Sequence, residues 1–306
     1  MANWKDILNE LNREGSTFDI VRRKYLKQLS NYTGRNTIAY YSGWLQKNTK
    51  ELQKVLGIND YDKNGFMAAI NGLDTSKGLD LILHTPGGEV AATESIIDYL
   101  LKKFDDLRVI VPQLAMSAGT MIACSSDRIL MGKQSSLGPI DPQYGGLPAH
   151  GVLEEFQKAY EEIKKDQTKI FVWRPILEKY NPTLLGECEK SIAWAEQIVE
   201  KNLKKRMFKT ENSRVRTNKI KKIKKELGDH SINLSHSRHI SAEKCKELGL
   251  KIEMMEEDNK LQDLVLTVHH CFIHTLSGTP AFKIIENNKG VALVQSMQSM
   301  VVPLKK

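Results

Sequence analysis

LRVIVPQLAMSAGTMIACSSDRILMG, residues 107–132, decides the fold. LRVIVP (107–112) is a short, dense apolar run, the pattern of a strand covered on both faces. The small residues of AMSAGT (115–120) suit a sharp turn into a closely packed helix, and RILMG (128–132) is the next buried strand. The same order occurs upstream. LDLILH (79–84) ends at Thr-Pro-Gly-Gly (85–88), and a helix follows with Ala91, Ile96, Ile97, Leu100, Leu101 and Phe104 on one face. Strand, glycine-rich turn and helix in repetition predict an α/β domain with a mainly parallel sheet.

Outward from this unit, NTIAYYSGW (36–44) reads as a further strand and residues 65–72 as a helix. Residues 1–35 read as a polar helical segment whose Trp4, Ile7, Leu8 and Leu11 form one buried stripe. From about residue 150 the pattern is mostly helical. ISAEKCKELGLKIE (240–253) has a capped start at Ser241 and a Gly249 stop before a short strand. The expected organisation is an N-terminal helical segment (1–35), a central domain (36–255) and a helical and strand extension (256–306).

The chain has 306 residues, 41% of them hydrophobic and 27% charged, enough apolar content for a sizeable core. No run approaches the roughly 18–20 uncharged apolar residues of a membrane-spanning helix. MANWKDILNELNREG has no apolar segment of a secretory leader, so a cytoplasmic protein is expected. Cys124, Cys188, Cys245 and Cys271 stand far apart with no CxxC pair, which fits reduced, buried thiols. The net charge of +8 is concentrated between Lys201 and Lys225, where twelve Lys or Arg face one Glu. That stretch reads either as solvated amphipathic helices or as a docking surface for an acidic partner.

Ser117 is the leading candidate for chemistry. A turn between a buried strand and a helix lifts a hydroxyl clear of the sheet, and the N–H groups of the helix start can hold an oxyanion. Gly87 and Gly88 add unhindered N–H groups at the same carboxyl edge of the strands, where open α/β sheets bind ligands. His84, at the strand end before that turn, is one candidate base, with Asp141 in GPIDPQ to orient it. His230, His236 and His239 cluster, and His270 and His274 are spaced i, i+4. With no HExxH and no Cys at ligand spacing, no metal is expected. Neither GxGxxG nor GxxxxGK[ST] occurs, so no nucleotide cofactor is expected either.

HTPGG (84–88), AMSAGTMIA (115–123), LGPIDPQ (137–143) and the late HSRHISAEKCKELGLKIE (236–253) follow one another as in the ClpP/crotonase superfamily. From about Arg35 to Leu250 the chain resembles the serine dehydrogenase proteinases, relatives of signal peptide peptidase A. The resemblance implies a spiral of βα units with a mainly parallel sheet and a helical C-terminal region. It implies a serine peptidase acting on a peptide or protein, with Ser117 as nucleophile and Gly87, Gly88 and Ala118 as the oxyanion hole. It also implies a homo-oligomer and no cofactor. Where ClpP itself carries its histidine the chain reads IDPQYGG (140–146), which points to the Ser–Lys dyad of the signal-peptide-peptidase branch. Lys158, 41 residues after Ser117, fits that spacing, and Lys164 flanks the apolar stripe Val152, Phe156, Tyr160, Ile163. A lysine base must be desolvated to stay neutral. The rival expectation is a latent or inactive member of the fold that binds or assembles with a partner protein, in a system such as phage defence.

Overall fold

The chain runs α1 (Phe18–Thr33), β1 (Asn36–Ser42), α2 (Gln53–Leu56), α3 (Asp62–Ile70), β2 (Leu79–His84), α4 (Val90–Lys103), β3 (Leu107–Val111), β4 (Leu114–Ala115), α5 (Ala118–Cys124), β5 (Arg128–Met131), β6 (Ser136–Leu137), β7 (Gln143–Tyr144) and β8 (Leu147–Pro148). It continues with α6 (Ala149–Lys165), α7 (Ile170–Leu177), α8 (Leu184–Lys205), α9 (Ser213–Gly228), β9 (Ile240–Ser241), α10 (Ala242–Leu248), β10 (Ile252–Met254), α11 (Asn259–Gly278), β11 (Ala281–Asn287) and β12 (Ala292–Ser296). This computed structural model describes residues 18–47, 49, 51–144, 147–229 and 235–297. The predicted stripe of Trp4, Ile7, Leu8 and Leu11 lies outside them, as does His230.

Seven strands form one sheet in the order β10-β5-β3-β2-β1-β11-β12. The first five are parallel, as the alternation of strands and helices predicts. β11 and β12 add antiparallel edges. Side chains alternate between two cores. Leu79, Leu81, Leu83, Val109, Val111 and Ile129 face α4, α5, α8 and α9. Ile82, Ile110, Leu130, Ala39 and Tyr41 face α1 and α11, where Leu26, Leu29, Val265, Val268 and Phe272 meet them. Both faces are therefore dry, which explains why LDLILH and LRVIV read as unbroken apolar runs rather than as alternating ones.

The described parts of the segments set apart as 1–35 and 256–306 contribute to this same layer. α1 packs on α11, and β11 pairs with β1, placing Ile38 opposite Asn287. β11 carries two fully buried charges, each matched across the fold. Lys283 meets Asp62 at 3.0 Å, and Glu286 is ion-paired with Arg22 and, at 2.8 Å, with Arg23. At the opposite, amino end of the strands, buried Asp80 accepts from Arg35 Nε and Arg108 Nη2 at 2.7 Å each. Lone buried charges cost several kcal/mol, so each of these pairs also fixes which strand ends must meet.

α6, α7 and the start of α8 form an arm with its own small core, while the rest of α8 and α9 packs on the sheet. Ala149 and Val152 of α6 meet Leu184 and Cys188 of α8, while α7 turns Ile170, Phe171 and Val172 outward. The basic stretch 201–225 lies on α8 and α9, and acidic neighbours answer much of its charge. Lys201 faces Glu94 and Asp98, Lys224 sits between Glu196 and Glu200, and Arg206 and Lys209 meet Asp127. Hydrogen bonds from Lys204 and Lys224 hold the Glu200 carboxyl at about 2.

Candidate active site

Just past the carboxyl end of β2, a short bridge joins the chain to β4. Thr85 pairs with Ala115, its N–H donating to the Leu114 carbonyl at 3.2 Å and its carbonyl accepting from Met116 N–H at 3.0 Å. Immediately beyond, Ser117 has φ 49° and ψ −113°; among the described residues it is the one non-glycine with a positive φ. Such a backbone costs on the order of 1–3 kcal/mol and persists only where its surroundings impose it. Here they do. Ser117 is the cap residue of α5, and small residues bring that helix tight against the sheet: a Cβ on Gly119 would lie 2.6 Å from Thr85 Cγ2. The turn thus places Ser117 at the helix start, where the Gly119 N–H is already taken by the Met116 carbonyl at 2.8 Å and the Ala118 N–H lies beside the serine.

Gly87 lies directly against this serine. Its φ is +101°, and a Cβ there would stand 2.7 Å from Ser117 Cβ and 3.1 Å from the Ala118 nitrogen. The Gly87 N–H donates to Thr85 Oγ1 at 3.2 Å. Ile58 runs alongside as a parallel bridge to Gly88. Ile58 N–H donates to the Gly87 carbonyl (2.7 Å), and Glu89 N–H donates to the Ile58 carbonyl (2.8 Å). That bridge uses Gly87 and Glu89, leaving the Gly88 N–H outside it.

A cavity of about 420 Å³ opens over these groups, with Ser117, Ala118, Gly88, Ile58, Ile140 and His236 among its lining residues. The loop through Ile140 is tied down from two sides. Ile140 N–H donates to the Leu227 carbonyl at 2.8 Å, and Gly138 N–H donates to the Thr120 hydroxyl at 3.0 Å. The next residue, Asp141, is fully buried, and its Oδ1 lies 2.9 Å from His236 Nδ1. With the carboxylate accepting from Nδ1–H, the imidazole keeps Nε2 as its basic nitrogen.

The candidates of the sequence fall into two groups. Ser117, Ala118, Gly87, Gly88 and Asp141 come together at this crevice. His84, Lys158 and Lys164 do not join them. As the last residue of β2, His84 points to the α11 side, with its ring 4.3 Å from that of Trp44, 5.5 Å from Tyr41 and 5.3 Å from His269. Burial there pushes its pKa down to about 3 and that of His269 well below its ordinary value. Lys158 and Lys164 are exposed on α6, whose buried positions are Ala149, Val152 and Ala159. Asp141 therefore meets His236 and not His84.

His236 was grouped in the sequence with His230 and His239 rather than with the serine. The signal in the sequence was its place just before the capped ISAEKCKELGL element. Among the described residues no three His, Cys, Asp or Glu side chains come together as a metal-binding set. No described helix is long and apolar enough to cross a membrane.

The chain matches known proteins over most of its length. Residues 20–270 match the family described as ClpP-like SDH-type serine proteinase. The uncharacterized protein MJ0137 of Methanocaldococcus jannaschii is 31% identical over 240 residues, 76% of this chain and 74% of the relative. The uncharacterized protein MJ1495 of the same organism is 30% identical over 237 residues, 76% and 71% of the two chains. With a strained serine at a helix start, a glycine pair beside it and a family match across most of its length, this chain belongs to the ClpP-like, SDH-type serine proteinases.

Proposed function

We propose that the protein is a serine peptidase working through Ser117, His236 and Asp141. The observation that carries this reading is the buried Asp141–His236 contact at the wall of the cavity that Ser117 lines. Asp141 holds the imidazole in the tautomer whose Nε2 can take a proton. Ser117 Oγ attacks the scissile carbonyl, forming the C–O bond while its proton passes to His236. The negative charge on the former carbonyl oxygen is met by the N–H groups of Gly88 and Ala118. Collapse breaks the C–N bond, and His236 returns the proton to the leaving amine. Water, deprotonated by the same imidazole, then hydrolyses the acyl-enzyme.

His236 takes the base role in this reading in place of His84, Lys158 and Lys164, because these three lie away from the cavity. The substrate is a peptide or unfolded protein segment lying across the crevice. Self-association belongs to the same proposal. Ile170, Phe171 and Val172 stand exposed at the end of the arm, Phe171 at 77%, an apolar cluster suited to a second copy of the chain.

Intact-mass measurement after incubation with a fluorophosphonate tests the assignment. Wild type is expected to gain one adduct; Ser117→Ala none; and His236→Ala an adduct formed at least a hundredfold more slowly. Labelling that survives in Ser117→Ala, or that depends on Lys158 and not on His236, would overturn it.

A further inference from the structure

Lys283 is a fully buried lysine in the middle of a strand, far in sequence from every residue of the proposed mechanism. Its Nζ donates to the carbonyl of Gly57 at 2.7 Å and to both oxygens of Asp62 at 3.0 Å. Asp62 is equally buried and collects further donors: Tyr40 Oη at 2.8 Å, Asn59 N–H at 3.1 Å and Gln295 Nε2 at 3.2 Å. Ser42, the residue opposite Lys283 across the β1–β11 ladder, donates through Oγ to the Leu56 carbonyl at 2.7 Å. Two side chains of the sheet thus grip two successive carbonyls, those of residues 56 and 57.

Those carbonyls immediately precede Ile58. Ile58 in turn brackets Gly88, through its N–H on the Gly87 carbonyl and its carbonyl on the Glu89 N–H. The backbones are in close contact: a Cβ on Gly57 would lie 3.2 Å from the Gly87 carbonyl oxygen. A continuous path therefore leads from Lys283 and Asp62 through 57–58 to the peptide between Gly87 and Gly88, and Gly87 lies against Ser117. An unpaired ammonium in this place would be costly, and burial lowers the pKa of Lys283 against the opposing pull of Asp62. A carbonyl could be satisfied by a neutral donor at less expense.

We propose that Lys283 and Asp62 are positioning residues for the oxyanion hole: their ion pair fixes the 57–58 segment and through it the direction of the Gly88 N–H. This rests on the Ser117 reading above. Neither residue touches substrate. Their effect falls on the step in which charge develops on the carbonyl oxygen and leaves ground-state binding unaltered.

The test uses Lys283→Met/Asp62→Asn, which removes both charges at once so that neither is left buried alone. Ser42→Ala is the milder companion, losing one neutral hydrogen bond to the same segment and keeping the ion pair. Fluorophosphonate labelling is resolved into the maximal rate and the concentration giving half of it, and amide hydrogen exchange is followed by NMR. In the double variant the maximal rate is expected to fall at least tenfold, with the half-saturating concentration within twofold of wild type. In Ser42→Ala the maximal rate falls about threefold. The Ile58 and Glu89 amides exchange at least tenfold faster in the double variant, while the Met116 amide on the other side of Ser117 is unchanged. Wild-type labelling rates in both folded variants, or unchanged exchange at Ile58 and Glu89, would overturn the inference. Failure of wild type itself to label overturns the Ser117 reading, and the inference falls with it.

Discussion

His236 Nδ1 and Asp141 Oδ1 stand 2.9 Å apart although 95 residues separate them in sequence, with the carboxylate fully buried and the imidazole reaching the cavity that Ser117 lines. A buried carboxylate against a half-buried imidazole sets a tautomer as well as a position. In Asp141→Asn the side chain can present its N–H₂ to Nδ1, which then becomes the acceptor and leaves Nε2 protonated. Labelling of Ser117 is expected to slow by about 10²–10⁴-fold with the fold retained. Circular dichroism run beside the labelling assay checks both halves, and a variant that labels normally would remove Asp141 from the mechanism.

Gly87→Ala follows from distance alone. The added methyl would stand 2.7 Å from Ser117 Cβ on a backbone at φ +101°, so strain and collision coincide. A destabilisation of about 1–3 kcal/mol is expected, visible as a lowered melting temperature, together with loss of the fluorophosphonate adduct. An unchanged melting temperature would contradict the close approach.

Acid should destabilise the protein through the histidines behind the site. His84 is held at about 3 and His269 well below its usual value, both by burial, so the folded state keeps them neutral. The unfolded chain binds these protons from about pH 6.5 downward. The stability contributed by neutral His84 is therefore complete above about 6.5 and is lost as the pH falls from there toward about 3. The slope is about 1.4 kcal/mol per pH unit for each histidine that stays neutral in the fold. Urea midpoints measured between pH 7 and 4 should show this fall. His84→Phe, which keeps a ring between Trp44 and Tyr41, should flatten it by one proton; an equally steep profile in that variant would exonerate His84.

Phe171→Asp should lower the molar mass measured by light scattering without changing the monomer's melting behaviour. A charge placed in a desolvated contact costs several kcal/mol, whereas on an open surface it is tolerated. If wild type is monomeric at micromolar concentration, or if the variant keeps the wild-type mass, α7 is not the self-association surface.

The βα units were legible because their strands are covered on both faces and their turns are spelled in glycine and small residues. LDLILH-TPGG and LRVIV…AMSAGT each name a strand, its end and the helix that follows. That Ser117, Gly87, Gly88 and Asp141 come together at one crevice was legible for the same reason, since each follows a strand end closely. The pairing of Asp141 with His236 was not, because it joins two loops whose approach depends on tertiary packing. β11 was obscured by its own chemistry. AFKIIEN carries Lys283 and Glu286, and their burial makes sense only once Asp62 and Arg22 stand opposite. The desolvated lysine sought on α6 thus exists in β11, engaged with a carbonyl and a carboxylate rather than with the serine.

The ladder between β1 and β11 also orders events in time. A ribosome adding roughly 5–20 residues per second completes Lys283 some 10–30 s after Ser117. Until then Asp62 lacks its counter-charge, β1 has an open edge, and the Gly57 carbonyl lacks its lysine donor. On the reading proposed above, a nascent chain would therefore carry its serine for many seconds before the Gly88 N–H is held in place. Translation itself would act as the safety catch, released only when the last strands of the sheet close.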